Sequence, residues 1–361
     1  MSLSSALWLF IVTALLLSGA SSRACGAEAR VVPRMLNPGD AFAVFVRDAD
    51  GHAPDDARFR GMTIPFSVCG RGCFVGVGAV DLKTRPGSYV VKVNAGRKAF
   101  RLRLKVRKMR FDTIRLTLPE DKVSLAPDDR ARADAEEARL KRLWQVRSER
   151  MWQGGFMMPL GNDLSTGFGV RRLINRKKVS VHGGIDIRGR EGEEVVAANR
   201  GFVVLSEELF FGGNTVVVDH GSGIYSVYMH LLRPNVAAGD PVETGQVVGF
   251  VGSSGRSSGP HLHFGVKVLG TNVDPGSLVR LDLRQEGLPA ALNSGLTRRL
   301  EIRTNPFGRN ASVTVRERPR CASVKRSGQQ PFFHQPEREG EQQRRCSCKP
   351  EQMRKSGQQR P

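Results

Sequence analysis

Tyrosine and tryptophan are scarce in this 361-residue chain, at three each, and histidine stops at seven. Acidic residues are also short, 35 against 56 Lys and Arg, which leaves a net charge of +21. Such an excess favours anionic partners. No helix-turn-helix, zinc-finger or RNA-binding signature accompanies it, so nucleic acid is not an expected partner. No apolar run is long enough to span a bilayer, which takes roughly 20 residues. The longest, Ala6–Leu17, has about 12 and is followed by the small residues Ser18–Ser22. That pattern fits the apolar region of a secretory signal peptide, with Ser22-Arg23-Ala24 or Cys25-Gly26-Ala27 as cleavage candidates. An uncleaved anchor is the alternative, since no Lys or Arg precedes the run.

Six cysteines in an exported chain meet an oxidising compartment. Cys69 and Cys73 lie close enough to close a small disulfide loop at a hairpin tip. No second pair has the spacing of a metal site. Cys321, Cys346 and Cys348 support no defined pairing.

What is abundant is β pattern. Residues 28–118 alternate or run β-branched, as in Ala43–Arg47, Phe74–Val80, Ser88–Val93 and Ala99–Val106. Turn clusters such as Asn37-Pro-Gly-Asp40 and Arg85-Pro-Gly87 separate them, predicting a small antiparallel β-sandwich. His52 falls in a turn and reads as solvated. Residues 119–152 form a charged linker whose Leu140, Leu143 and Trp144 recur at helical spacing. Trp144 and Trp152 are expected to pack against a domain face. Strand patterns return over 153–283, with glycine-rich turns between them. Residues 284–361 shift to Arg, Gln, Ser, Pro and Glu, carry roughly half of the net charge and read as a disordered basic tail. The fold class is therefore mainly β, two β domains joined by a short helical linker.

The second domain holds five of the seven histidines, and two clusters stand out. One is His182-Gly-Gly-Ile-Asp186; the other is His261-Leu-His263. Residues two apart on a strand share a face. His261 and His263 would then point into one cleft, with Leu262 and Phe264 inward. His182, Gly184 and Asp186 would likewise share a face, opposite Ile185 and Ile187. Either cluster alone is ordinary. Together they offer four metal-capable side chains, and catalytic zinc takes about three protein ligands with a position left for water. His220, after Asp219, reads as a turn residue at a strand end.

The order of motifs resembles the lysostaphin/LytM-type zinc metallopeptidases that cut peptidoglycan. The resemblance covers roughly residues 155–278. It runs through Thr166-Gly-Phe-Gly-Val-Arg171, His182-Gly-Gly-Ile-Asp186, Asn214–Gly221, Tyr228-Met-His-Leu231, Gly252-Ser-Ser-Gly255, Ser258–Phe264 and Val273-Asp-Pro275. It implies one zinc ion per chain held by His182, Asp186 and His263, in an antiparallel sheet of the duplicated-hybrid type. It also implies that His230 and His261 are the metal-free catalytic histidines. Zinc lowers the pKa of water and polarises a carbonyl. One histidine then serves as base and the other as oxyanion partner, with His261 preferred as the base and His230 as the partner. The segment after Asp186 is more charged than the family's usual small run, and Gly265 stands where an acidic residue is frequent.

The expectation is thus a zinc endopeptidase acting on peptidoglycan peptides, exported to the periplasm or cell envelope or secreted, and monomeric. Its basic tail could tether it to anionic envelope polymers. The competing class is a catalytically silent regulator of this fold that activates a cell-wall amidase.

Overall fold

The computed structural model of the chain describes residues 27–283, apart from 49–50, 97, 118–124 and 176–177. The expected signal peptide up to Gly26, with Cys25, and the expected basic tail (284–361) lie outside the described residues. Among the described residues, no helix is long and apolar enough to cross a membrane.

The first part is built from β1 (Glu28–Val32), β2 (Met35–Leu36), β3 (Ala41–Arg47), β4 (Asp56–Phe59), β5 (Met62–Ile64), β6 (Ser67–Gly70), β7 (Cys73–Ala79), β8 (Gly87–Ala95) and β9 (Lys98–Val106). They form two sheets, ordered β1-β3-β7-β6 and β2-β9-β8-β4-β5. Pairing is antiparallel except for β2 on β9. The Cys69–Cys73 disulfide forms at the β6–β7 hairpin.

β3 and β7 are buried along nearly their whole length. Their sheet is a middle layer, apolar on both faces, and so reads as a continuous run rather than an alternation. Phe42, Val44 and Val46 face the five-stranded sheet, packing with Val91, Val93, Leu104 and Val106. Ala43, Phe45, Val75 and Val77 turn the other way and join a core shared with the second part.

After the sandwich comes β10 (Thr113–Leu116), then helix α1 (Pro127–Leu143). Pro127 opens α1, Asp128 and Asp129 sit in its first turn, and Lys141 and Arg142 in its last. That charge order complements the helix dipole. Trp144 follows and packs edge-on against Tyr225, with ring centroids 5.3 Å apart. Trp152 is fully buried, so both tryptophans pack against domain faces.

The second part continues with β11 (Leu164–Thr166), β12 (Arg171–Ile174), β13 (Lys178–Val181), β14 (Gly184–Arg188), β15 (Glu194–Val196), β16 (Gly201–Leu209), β17 (Gly213–Gly221) and β18 (Ile224–Pro234). It ends with β19 (Pro241–Val242), β20 (Val247–Val251), β21 (His261–Val268), β22 (Thr271–Val273) and α2 (Pro275–Val279). A 10-stranded sheet has β11-β14-β21-β18-β17-β16-β19 as its main path, with β15, β20 and β22 attached. β10 does not join the sandwich. It pairs in parallel with β12, in a separate three-stranded sheet β10-β12-β13.

Candidate active site

β14 and β21 lie side by side in antiparallel register, which sets Asp186 opposite His263 and Arg188 opposite His261. Ile185, Ile187, Leu262 and Phe264 are buried beneath them, at 2% exposure or less. Fully burying one such side chain contributes about 1.5–3 kcal/mol, enough to fix the register. A slip of one residue would put the histidines into the core.

His182 is not on the β14 face expected from its spacing to Gly184 and Asp186. It lies in the break between β13 and β14. Its backbone N–H donates to the Val170 carbonyl, and its own carbonyl accepts from Gly169 N–H. Those bonds tie it to the Gly167–Gly169 turn. From there its Nε2 reaches Asp186 Oδ1 at 2.9 Å and His263 Nδ1 at 3.0 Å. His263 Nδ1 lies 2.8 Å from the same carboxylate oxygen. One ligand-capable atom from each residue therefore falls within 4.8 Å of the others. The cluster is mostly withdrawn from water, with His182 and Asp186 buried.

Gly184 makes room for this cluster. A Cβ there would lie 2.4 Å from the Phe264 carbonyl oxygen and 2.9 Å from His263 Nε2. His182 Nδ1–H donates to the Gly167 carbonyl at 2.8 Å, which leaves the Nε2 lone pair aimed at Asp186 and His263. Two ring nitrogens and a carboxylate oxygen thus crowd together as acceptors. Such an arrangement asks for a shared proton or a cation, and two nitrogens with one oxygen suit zinc. Burial by itself would raise the Asp186 carboxyl, but without a cation a proton shared with the His182 and His263 rings turns them into donors and positive neighbours, which outweighs burial and holds the group well below the usual carboxylate range. Burial lowers His263.

Sequence reasoning missed Arg172. Its Nη2 stands 3.4 Å from Asp186 Oδ2, on the oxygen that the histidines leave free. The residue follows the Gly-Val-Arg motif directly, yet only the β12 pairing brings it to the site.

His230 and His261 flank the cluster, their ring centroids 4.9 Å apart. His230 donates from Nδ1 to the Ser254 carbonyl at 2.9 Å. Its backbone holds φ at +63°, a left-handed conformation rare for a non-glycine residue. The Gly212 carbonyl accepts from its N–H, and Ser254 Oγ binds both Leu231 and Asn214 backbone. His261 Nδ1 donates to the Gly259 carbonyl at 2.8 Å, and its Nε2 lies 3.9 Å from Asp186 Oδ1. Both rings therefore turn Nε2 inward. Burial, with smaller contributions from His261 and His263, pushes His230 down to about 4. All five site residues expected from sequence are thereby brought into one cleft.

His220 departs from expectation. It is a fully buried strand residue of β17, not a turn residue. Nδ1 donates to the Arg200 carbonyl, and Nε2 meets Ser226 Oγ at 2.7 Å, which in turn meets the Tyr228 hydroxyl at 2.9 Å. The network is closed within the core, away from the cleft. His52 is exposed, 3.7 Å from Asp48.

Comparison with known proteins agrees with this geometry. Residues 180–275 match Peptidase family M23. The DD-carboxypeptidase/endopeptidase Mpg of Neisseria meningitidis is 36% identical over 115 residues, which are 32% of this chain and 26% of that protein. Lysostaphin of Staphylococcus staphylolyticus is 38% identical over 105 residues, 28% of this chain and 22% of its own. The match thus spans only about a quarter of the relatives' length. A solved Pseudomonas aeruginosa protein assigned to peptidase M23 is 27% identical, covering 67% of this chain and 94% of its own at a TM-score of 0.52. The chain therefore carries, in the β-sheet segment that bears the histidine cleft, a Peptidase family M23 domain.

Proposed function

We propose that this chain is a zinc-dependent endopeptidase that hydrolyses peptide cross-links of peptidoglycan. The observation that carries the reading is the convergence of His182 Nε2, Asp186 Oδ1 and His263 Nδ1 beside two further histidines whose Nε2 atoms face the same cleft. The substrate class is supported by a further relative named for it, the peptidoglycan DD-endopeptidase ShyA of Vibrio cholerae, 37% identical over 112 residues that are 31% of this chain and 26% of that protein.

Zinc at His182, Asp186 and His263 would supply Lewis acidity and an acidified water. The chain's residues supply the rest. Arg172 and the Gly167 carbonyl orient Asp186 and His182. His261 acts as the base, its Nδ1–H engaged by Gly259 so that Nε2 is free to take a proton. His230 acts as the oxyanion partner. Burial keeps it neutral before reaction, with Nδ1–H committed to Ser254, so its Nε2 donates to the oxyanion only while it holds the proton that His261 draws from the water, and that proton then passes to the leaving amine. The same reading divides the chain into an export segment (1–27), a sandwich domain (28–118), a linker (119–152), a peptidase domain (153–283) and a basic tail (284–361). It places the protein in the periplasm or cell envelope, or outside the cell.

Purified protein should open cross-linked muropeptides, and a chelator or His263→Ala should each abolish this. Cleavage that survives both would refute the zinc reading. Zinc binding without any cleavage would favour the silent regulator.

A further inference from the structure

The sandwich has two outer faces. Ala43, Phe45, Val75 and Val77 seal one of them into the core shared with the peptidase sheet. The other is the outer face of β2-β9-β8-β4-β5. Successive side chains alternate across a strand. Val91, Val93, Leu104 and Val106 point inward, so Lys92, Arg101, Arg103 and Lys105 point outward. Register places Arg101 beside Lys92 and Lys92 beside Arg58, a row of three cations across three strands. Arg103 and Lys105 continue the field along β9. All five are exposed.

Directly opposed residues on neighbouring strands stand about 5 Å apart, and like charges there destabilise a sheet. Folding needs only polar residues at these positions, as Ser88 and Thr63 illustrate on the same face. Asp56, 3.0 Å from Arg58, is the one carboxylate at the outward positions of these strands. No aromatic ring points outward on which a base could stack. Apart from Met35, the half-buried Val90 and the small Ala99, nothing apolar stands there to enter a membrane. What is presented is a flat, rigid lattice of cations, complementary to a polymer with closely repeated carboxylates.

We infer that this face binds the carboxylate-bearing peptide network of peptidoglycan and holds the enzyme on its polymer while the cleft works elsewhere. The inference rests on the proposed substrate. It also moves wall binding from the basic tail, where composition alone put it, to an ordered surface.

The test compares full-length wild type with Lys92→Glu/Arg101→Glu/Arg103→Glu and with a charge-matched control, Arg71→Glu/Lys83→Glu/Arg85→Glu, whose sites are exposed but outside this face. Binding to purified sacculi is measured by co-sedimentation at about 50 and about 200 mM salt. Cleavage of a soluble cross-linked muropeptide is measured separately. The face variant should bind at least about tenfold more weakly at low salt, with the control within about twofold of wild type. Raising the salt should weaken wild type towards the face variant, and soluble cleavage should stay equal in all three. Wild-type binding by the face variant, or an equal loss in the control, would overturn the inference. So would displacement from sacculi by duplex DNA at lower charge concentration, which would make nucleic acid the partner. Absence of soluble cleavage with the binding difference intact would support the face and refute the peptidase reading.

Discussion

Gly184 shows how closely single residues constrain the site. Its missing side chain is what lets the β14 backbone lie against the Phe264 carbonyl while His263 turns towards Asp186. Gly184→Ala should therefore displace β21 or the His263 ring. Zinc content of the purified variant should fall well below one per chain, with melting temperature lowered, and full metal loading would refute the packing argument. At this scale the sequence was largely legible. The five site residues stood in two short clusters plus His230, because metal and proton chemistry restrict residue type and spacing. Arg172 was not legible, since a charged residue on a short strand gives no sign of what lies across from it. Nor was the burial of His220. Thr215-Val-Val-Val-Asp-His-Gly221 has no alternation that separates a buried imidazole from a turn, and only the Ser226–Tyr228 pair explains how the core accepts it.

Between elements, the segment joining sandwich to peptidase contributes to the site. The Phe111 ring packs where a Cβ on Gly169 would lie, 2.3 Å away, and Arg171 N–H donates to the Asp112 carbonyl. On the other side of the same turn, Phe168 packs where a Cβ on Gly39 would lie. The turn so clamped carries the Gly167 carbonyl that orients His182. Phe111→Ala should loosen it and weaken zinc affinity by about tenfold, the lower end of what outer contacts of a metal site supply. Competition with a chromogenic chelator would measure this, and unchanged affinity would show that His182 needs no such support. The parallel pairing of β10 with β12 was illegible in the sequence. Four residues of mixed character carry no strand signal of their own, and pairing across 58 positions leaves no local pattern. The strands of the sheets themselves were legible because apolar alternation and glycine turns are local signals.

For the molecule as a whole, His220 links stability to pH. Burial lowers its pKa from 6.5 to about 4 in the folded protein. Between those values the unfolded chain binds more protons than the folded one, so stability rises with pH through that window and is lost on acidification. The linkage is worth about 3 kcal/mol between pH 7 and pH 4. Urea melts at pH 7 and pH 5 should show the loss, to which His230 and His263, also held low by burial, add their own parts, and His220→Gln should remove only the His220 share; an equally steep dependence in the variant would place the proton elsewhere. Net charge was legible from composition, but its ordered part was not, because only strand register turns Arg58, Lys92 and Arg101 into one row. The central claim is that three residues hold zinc and two histidines work beside it. Zinc per chain, measured in parallel with muropeptide cleavage, tests that division directly. Wild type, His230→Ala and His261→Ala should each retain one zinc, the two variants having lost cleavage, whereas His263→Ala should lose both metal and cleavage. Metal loss in His261→Ala, or retained zinc in His263→Ala, would contradict it.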